Sequence, residues 1–405
     1  VINLETPKKF RALIDQAHQV AENVLRPISR KYDLAEHTYP KELDMLAAMI
    51  DGLEESGQSG GAGAAGVKGD PSTNGSGGGN RNGSNLSTVL SIIEMCWGDV
   101  GLTLALPRQG LGNAAIASVA TPEQQERFAG KWAAMAITEP EAGSDSAAIR
   151  TTAVLDGDEY VLNGEKIFVT SGDRADLLVV WATLDPSKGR AAIKSFVVDR
   201  HAPGVKLDRL EHKLGIRASD TANFVLENVR VPKENLLGSP EIDTKKSFAG
   251  AMKTFDNTRP LVAAMALGVA RACIERTREL LAEAGVEVDY DRPATAQSGP
   301  AAELLDMEAD YEAALLITLE AAWMADNSKP NSLHASMAKA KAARTAVDIA
   351  MRCVELCGAT GYGEDELLEK WARDAKILDI FEGTQQIQLL IIARQLLGKS
   401  SAELR

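Results

Sequence analysis

The residues best suited to chemistry lie near the C-terminus, in Ile380-Phe381-Glu382-Gly383-Thr384-Gln385-Gln386-Ile387-Gln388. One carboxylate, Glu382, follows an apolar run and precedes a Gly-Thr step, with a second apolar run from Leu389 to Ala393 behind it. A carboxylate in apolar surroundings has a raised pKa and can act as the base for a weakly acidic carbon. The same local pattern also suits a glutamate that supplies negative charge to the first turn of a helix. Which role applies depends on the elements that would bring other groups to Glu382.

Three further segments are candidates to join it. Ala136-Ile137-Thr138-Glu139-Pro140-Glu141-Ala142-Gly143-Ser144-Asp145 is a turn rich in small residues, which lets backbone N–H groups approach a ligand. Phe255-Asp256-Asn257-Thr258-Arg259-Pro260 gathers polar and charged groups ahead of a helical pattern. Lys213-Leu214-Gly215-Ile216-Arg217-Ala218-Ser219-Asp220-Thr221 precedes Arg230-Val231-Pro232 and Asn235-Leu236-Leu237-Gly238. In order and spacing these segments resemble the motifs of the acyl-CoA dehydrogenases from about residue 86 to the C-terminus. The first resembles the flavin signature Thr-Glu-Pro-x-Ala-Gly-Ser-Asp. The second resembles Asp-x-Thr-Arg-Pro, the third the end of the β domain, and the Glu382 segment the closing motif.

The resemblance implies an FAD-dependent α,β-dehydrogenation of an acyl-CoA thioester, in fatty acid β-oxidation or a related degradation, with electrons passed to an electron-transfer flavoprotein. It makes Glu382 the base for the α-proton. It assigns Met135, Ile137, Thr138, Gly143, Ser144, Phe168, Thr170, Thr384 and Gln386 to FAD. Ser144, Asp256, Thr258, Arg259 and Gly383 fall to the substrate. Phe168 and Thr170 stand where the family has Trp-x-Thr beside the flavin ring, so the aromatic wall is kept and the indole N–H lost. The plainer role for Arg259 is a salt bridge to Asp256 or Glu382.

Two elements depart from the family. Homo-oligomeric members carry Arg-x-x-Phe-Gly after the first bundle helix, gripping the neighbouring subunit's flavin. Here Val286-Glu287-Val288-Asp289-Tyr290-Asp291-Arg292-Pro293 has three acids and no Phe. The family's Gln-x-x-Gly-Gly reads Glu355-Leu356-Cys357-Gly358-Ala359, and a Glu facing a pyrophosphate is a like-charge contact. The resemblance therefore extends to the heteromeric acyl-CoA dehydrogenases, with a second acyl-CoA dehydrogenase subunit as partner in a heterotetramer. A homo-oligomer with weakened FAD binding is the alternative. So is a non-catalytic structural subunit, although such a chain would have no use for Glu382.

Composition sets the frame. The 405 residues carry a net charge of −13, which argues against nucleic acid and anionic membranes as partners. No apolar run reaches membrane-span length, and the N-terminus lacks the order of a signal peptide, so a cytoplasmic protein is expected. Five histidines (18, 37, 201, 212, 334) show no metal-ligand spacing, and no metal is expected. Cys353 and Cys357 share a helical face and, like Cys96 and Cys273, read as apolar packing residues.

Periodicity supplies the elements. Residues 1–134 read as a helical domain, with Leu13, Ala17, Ala21 and Leu25 at helical spacing. Within it, residues 57–85 are dominated by Gly, Ser and Asn and read as a flexible loop. Their Gly61-Ala62-Gly63-Ala64-Ala65-Gly66 has no preceding strand and is a compositional coincidence. Residues 135–240 read as an antiparallel β-barrel or sandwich, with hairpin signals at Asp156-Gly157 and Asn163-Gly164. Residues 241–405 read as a four-helix bundle, its third helix ending just before Gly358. The fold class is thus α+β: helices, β domain, helices.

Overall fold

The computed structural model describes residues 6–55, 83–242, 249–400 and 403, with side chains omitted at 51, 53–55 and 249–257. The expected loop at 57–85 falls outside the described residues as far as 82, and its last two residues, Ser84 and Asn85, belong instead to the helix Ser84–Leu104.

The first layer is helical. Helix α1 (Arg11–Val20) runs through one π-helical turn (Ala21–Leu25) into α2 (Arg26–Leu34). Pro27 follows this π turn in a backbone that stays helical, so its missing N–H forgoes one bond of the ladder at the place where the helix is already irregular. Helices α3 (Glu42–Glu55), α4 (Ser84–Leu104), α5 (Leu111–Val119) and α6 (Pro122–Arg127) follow. Thr121 and Gln124 close the start of α6 with a reciprocal capping box.

Seven strands come next: β1 (Ala133–Ala136), β2 (Thr152–Asp156), β3 (Glu159–Thr170), β4 (Leu177–Thr183), β5 (Ile193–Asp199), β6 (Val205–Leu210) and β7 (Thr221–Pro232). They form one curled sheet of order β1-β4-β2-β3-β7-β6, with β5 also on β4. Most pairs are antiparallel, as expected, but β1 runs parallel to β4 over four residues, and β2 meets β4 in parallel only at Thr152–Thr183. That narrow join lets the two halves of the sheet fold over a shared core, in which Leu178, Val180 and Phe196 meet Leu162, Phe224 and Val229. The other face of β4 is covered by a second cluster with Ala115, Ile116 and Phe128. Every residue of β4 is therefore buried, which is why it reads Leu-Leu-Val-Val-Trp-Ala-Thr without alternation.

Asp156-Gly157 turns β2 into β3, with Gly157 at φ +66°. Asn163-Gly164 is not a turn. Both residues lie inside β3, which continues to pair with β7 across a register shift there. A Cβ on Gly164 would stand 2.3 Å from Thr151 Oγ1, so the glycine serves a bulge and a close approach.

The last layer is formed by α7 (Ala249–Glu283), α8 (Gly299–Asp326), α9 (Ser332–Tyr362), α10 (Leu368–Leu378) and α11 (Gln385–Leu397). The sequence pattern hid α10. Gly358 breaks α9 at φ +55°. The main core packs α4 against this bundle, so the N-terminal and C-terminal helices share one interior. A Cβ on Gly268 of α7 would lie 2.5 Å from Ile93 O of α4, so the two backbones meet closely. The three layers are tied at one buried point. Lys370 Nζ donates to Asp99 Oδ2 at 2.7 Å and to Asp374 Oδ2 at 2.5 Å, while Asp374 accepts from Ile216 N. All four cysteines are free, three of them buried. Among the described residues, no helix is long and apolar enough to cross a membrane.

Candidate active site

Glu382 lies in the tight link between α10 and α11. Thr384 caps α11, its Oγ1 accepting from Ile387 N at 3.4 Å, so the chain must reverse just before it. Glu382 takes φ +52° and Gly383 φ +93°. The left-handed region costs a residue with a Cβ about 1–2 kcal/mol, so something must hold Glu382 there. Gln388, fully buried one turn into α11, donates Nε2 to the carbonyls of Glu382 (3.1 Å) and Gly383 (3.2 Å). Lys339, fully buried on α9, donates Nζ to Gly383 O at 2.7 Å. At Gly383, φ +93° is a conformation that L side chains rarely adopt, and a Cβ would stand 2.5 Å from Gln388 Nε2 and displace that side chain.

The carboxylate meets α7. Thr258 Oγ1 donates to Glu382 Oε2 at 2.6 Å. Arg259, 3% exposed, reaches across to Ser336 Oγ on α9 at 3.5 Å. Burial raises the pKa of Glu382, against the Thr258 hydrogen bond and the positive charges of Lys339 and Arg259. Burial also lowers Lys339 to about 8, partly offset by Asp379 and Glu382. A half-buried carboxylate of raised pKa, held on a strained backbone among cations, is the arrangement expected of a base.

The second group of candidates gathers on the sheet. Met135 pairs with Val179 in β1, and Met135 and Ile137 pack beside Ala142, Ile149, Trp181 and Ile193. The turn after β1 is built around Glu139. Its buried carboxylate accepts from Arg150 N, Thr151 N, Thr151 Oγ1 and Lys166 Nζ at 2.6–3.0 Å. Glu139 is therefore the support of the turn, leaving Gly143 and Ser144 on its exposed side. Thr138 O accepts from Ile167 N at 2.9 Å, which sets the turn against Phe168. Phe168 is 58% exposed and adopts φ +55°, its N–H held by Asn223 Oδ1 at 3.0 Å. A bulky residue at positive φ is an outlier, and this one also exposes its ring. Thr170 continues the ladder opposite Thr221.

The structure thus brings together Glu382, Gly383, Thr258 and Arg259, and separately Thr138 and Phe168 beside the turn of Gly143 and Ser144. Asp256 lies in α7, but its side chain is outside the described residues. The Thr384 hydroxyl is engaged as a cap, and Gln386 is exposed. Lys339, Gln388 and Ser336 were not picked out from sequence. The one available signal was a lysine inside the small apolar run Met337-Ala338-Lys339-Ala340. These residues fit a flavin: the exposed Phe168 ring offers a stacking face, and among the described residues nothing lies within 4 Å of a Cβ built on Gly143.

A helical–sheet–helical fold with a half-buried carboxylate of raised pKa, and an exposed aromatic ring beside a turn of small residues, has the composition of a flavoprotein oxidoreductase. The chain matches the acyl-CoA dehydrogenase N-terminal domain over residues 7–136, the middle domain over 134–229 and the C-terminal domain over 248–397. It is 36% identical to the short-chain-specific acyl-CoA dehydrogenase of Clostridium acetobutylicum over 323 residues, 78% of this chain and 83% of that protein. Butyryl-CoA dehydrogenase from Megasphaera elsdenii superposes with TM-score 0.82 at 30% identity, covering 98% of this chain and 100% of the other. A chain solved in work on the electron-transferring flavoprotein of Acidaminococcus fermentans and flavin-based electron bifurcation gives TM-score 0.81 at 32% identity, with coverage of 98% and 100%. The chain belongs to the acyl-CoA dehydrogenase family, whose cofactor is FAD.

Proposed function

We propose that this chain catalyses α,β-dehydrogenation of an acyl-CoA thioester to the trans-2-enoyl-CoA, with electrons passing on to an electron-transfer flavoprotein. FAD, when bound, supplies the acceptor for the β-hydride. The chain's own part is to take the α-proton. The Thr258 hydroxyl occupies Oε2 of Glu382, leaving Oε1 as the atom that receives it. Lys339 and Gln388 fix the link, so the carboxylate need not be ordered at the moment of reaction. Arg259, buried beside the site, adds positive charge as enolate character develops on the thioester. Met135, Ile137, Thr138, Gly143, Ser144, Phe168 and Thr170 form the flavin side in this reading, with Thr384 and Gln386 at its edge. Asp256, Thr258, Arg259, Ser144 and Gly383 line the substrate path.

The observation that carries this reading is the 2.6 Å contact between Thr258 and Glu382 on a pinned, left-handed backbone. Glu382→Gln tests it. The variant should keep FAD and acyl-CoA affinity and lose about 10²–10⁴-fold in flavin reduction, the usual contribution of a positioned base. Near-normal reduction would remove Glu382 from the mechanism.

The assembly in this proposal pairs the chain with an unlike acyl-CoA dehydrogenase subunit. What supports it is the exposed Glu355 on α9 and the acidic run after α7, where Arg292 is tied to Asp289 at 3.2 Å. Neither suits the phosphates of a neighbour's FAD. Purified alone, the chain should be flavin-poor; with a partner it should hold one FAD per pair. A stable homo-oligomer with one tight FAD per chain and full turnover would overturn the pairing.

A further inference from the structure

Glu36 and His212 are 176 residues apart in sequence yet share a hydrogen bond, His212 Nδ1 to Glu36 Oε2 at 2.9 Å. His37 completes a cluster between the end of α2 and the segment leaving β6. Its ring stands 4.8 Å from that of His212, tilted by 41°. One ligand atom from each of Glu36, His37 and His212 lies within 4.8 Å of the other two, and among the described residues this is the one such group.

Two features give the cluster the character of a coordination site. His37 Nε2 lies 3.0 Å from Glu211 O. A carbonyl can only accept, so Nε2 carries the proton and Nδ1 of the neutral ring keeps its lone pair. A backbone carbonyl fixing the far nitrogen is the support that metal-bound imidazoles normally have. The carboxylate is supported too, because Glu36 Oε1 accepts from Lys213 N at 2.9 Å. Nearby cations are engaged elsewhere: Arg209 with Glu211 and Asp208, and Lys213 Nζ with Ser219 O. His37 holds this place at φ +69°, a region uncommon for residues with a Cβ although histidine is among those enriched there.

We propose that Glu36, His37 and His212 form a binding site for a divalent transition cation of the Zn²⁺ type, joining the end of α2 to the segment after β6. Two imidazoles and a carboxylate select such ions over Mg²⁺ and Ca²⁺, which prefer oxygen. Bonds of about 2.1 Å in tetrahedral geometry place ligand atoms roughly 3.4 Å apart. The His212–Glu36 pair, at 2.9 Å, must therefore open while separations of up to 4.8 Å close, and the His212 side chain, 83% exposed, has the freedom to adjust. Three protein ligands leave a position for water, so the ion exchanges rather than being locked in.

The test is calorimetric titration of the tag-free, chelator-treated full chain with Zn²⁺, with Mg²⁺ as control. Alongside run His212→Ala, an exposed position where folding is safe, and His37→Asn, which tolerates the positive φ. One equivalent of Zn²⁺ per chain is expected, no response to Mg²⁺, and an affinity at least about 10-fold weaker in each variant. Saturating Zn²⁺ should raise the unfolding midpoint of the wild type and leave His212→Ala unmoved. No stoichiometric binding, or binding kept within about twofold in both variants, overturns the site.

Discussion

Replacing Thr258 by Val tests the electrostatics of the site. Valine matches threonine in shape and removes the hydroxyl that donates to Glu382 Oε2 at 2.6 Å. A hydrogen bond to a charged group contributes about 1.5–3 kcal/mol. It stabilises only the ionised carboxylate, so its loss raises a pKa that burial has already raised. At 1.36 kcal/mol per unit, the acidic limb of the pH–rate profile should move up by about 1–2 pH units. The assay is anaerobic, single-turnover flavin reduction by acyl-CoA across pH. Above the shifted limb the rate should approach wild type, because the base is intact; below it the rate should fall about 10–100-fold. Stability carries the same sign. A carboxyl whose folded pKa exceeds its unfolded value contributes stability present below the unfolded value and lost as pH rises through the folded one. The Val variant should therefore lose more stability than wild type on the alkaline side. A folded variant whose rate changes equally at every pH would show that Thr258 does not set the ionisation of the base.

Two further substitutions probe the supports of the site. Lys339→Met removes the charge that holds Gly383 O and faces Glu382, so the acidic limb should again move upward. Because burial lowers Lys339 to about 8 from an ordinary 10.5, the wild type should gain stability as pH rises from 8 to 10.5; melting curves should show that gain disappearing in the Met variant. Phe168→Gly relieves a positive φ and removes the exposed ring. The flavin-free protein should melt no lower than wild type while FAD affinity falls about 2–10-fold, the equivalent of losing one aromatic contact of 0.5–1.5 kcal/mol. Unchanged affinity in a fluorescence titration would remove Phe168 from the flavin wall.

Much of this protein is legible in its sequence, because several decisive interactions are local. Helical periodicity marks α1 and the long bundle helices, and Asp156-Gly157 marks a hairpin through the backbone freedom of one glycine. The Glu382 motif marks the link that carries the proposed base, because Gly383 and the Thr384 cap force the chain to reverse beside it. What only the tertiary structure decided is long-range. Asn163-Gly164 has the composition of a turn but lies within a strand, because β7 supplies partners on both sides of the bulge. The parallel β1–β4 pair and the join at Thr152 and Thr183 depend on where the sheet curls, which no single strand encodes. Lys339 gains its role only because α9 packs over the link after α10 and places its Nζ against Gly383 O. His37 and His212 carry no ligand spacing along the chain; they meet because α2 ends where β6 leaves the sheet. Local backbone preferences can be read from neighbours in sequence, whereas a buried amine, a bulge or a histidine pair gains its meaning from the element that packs against it.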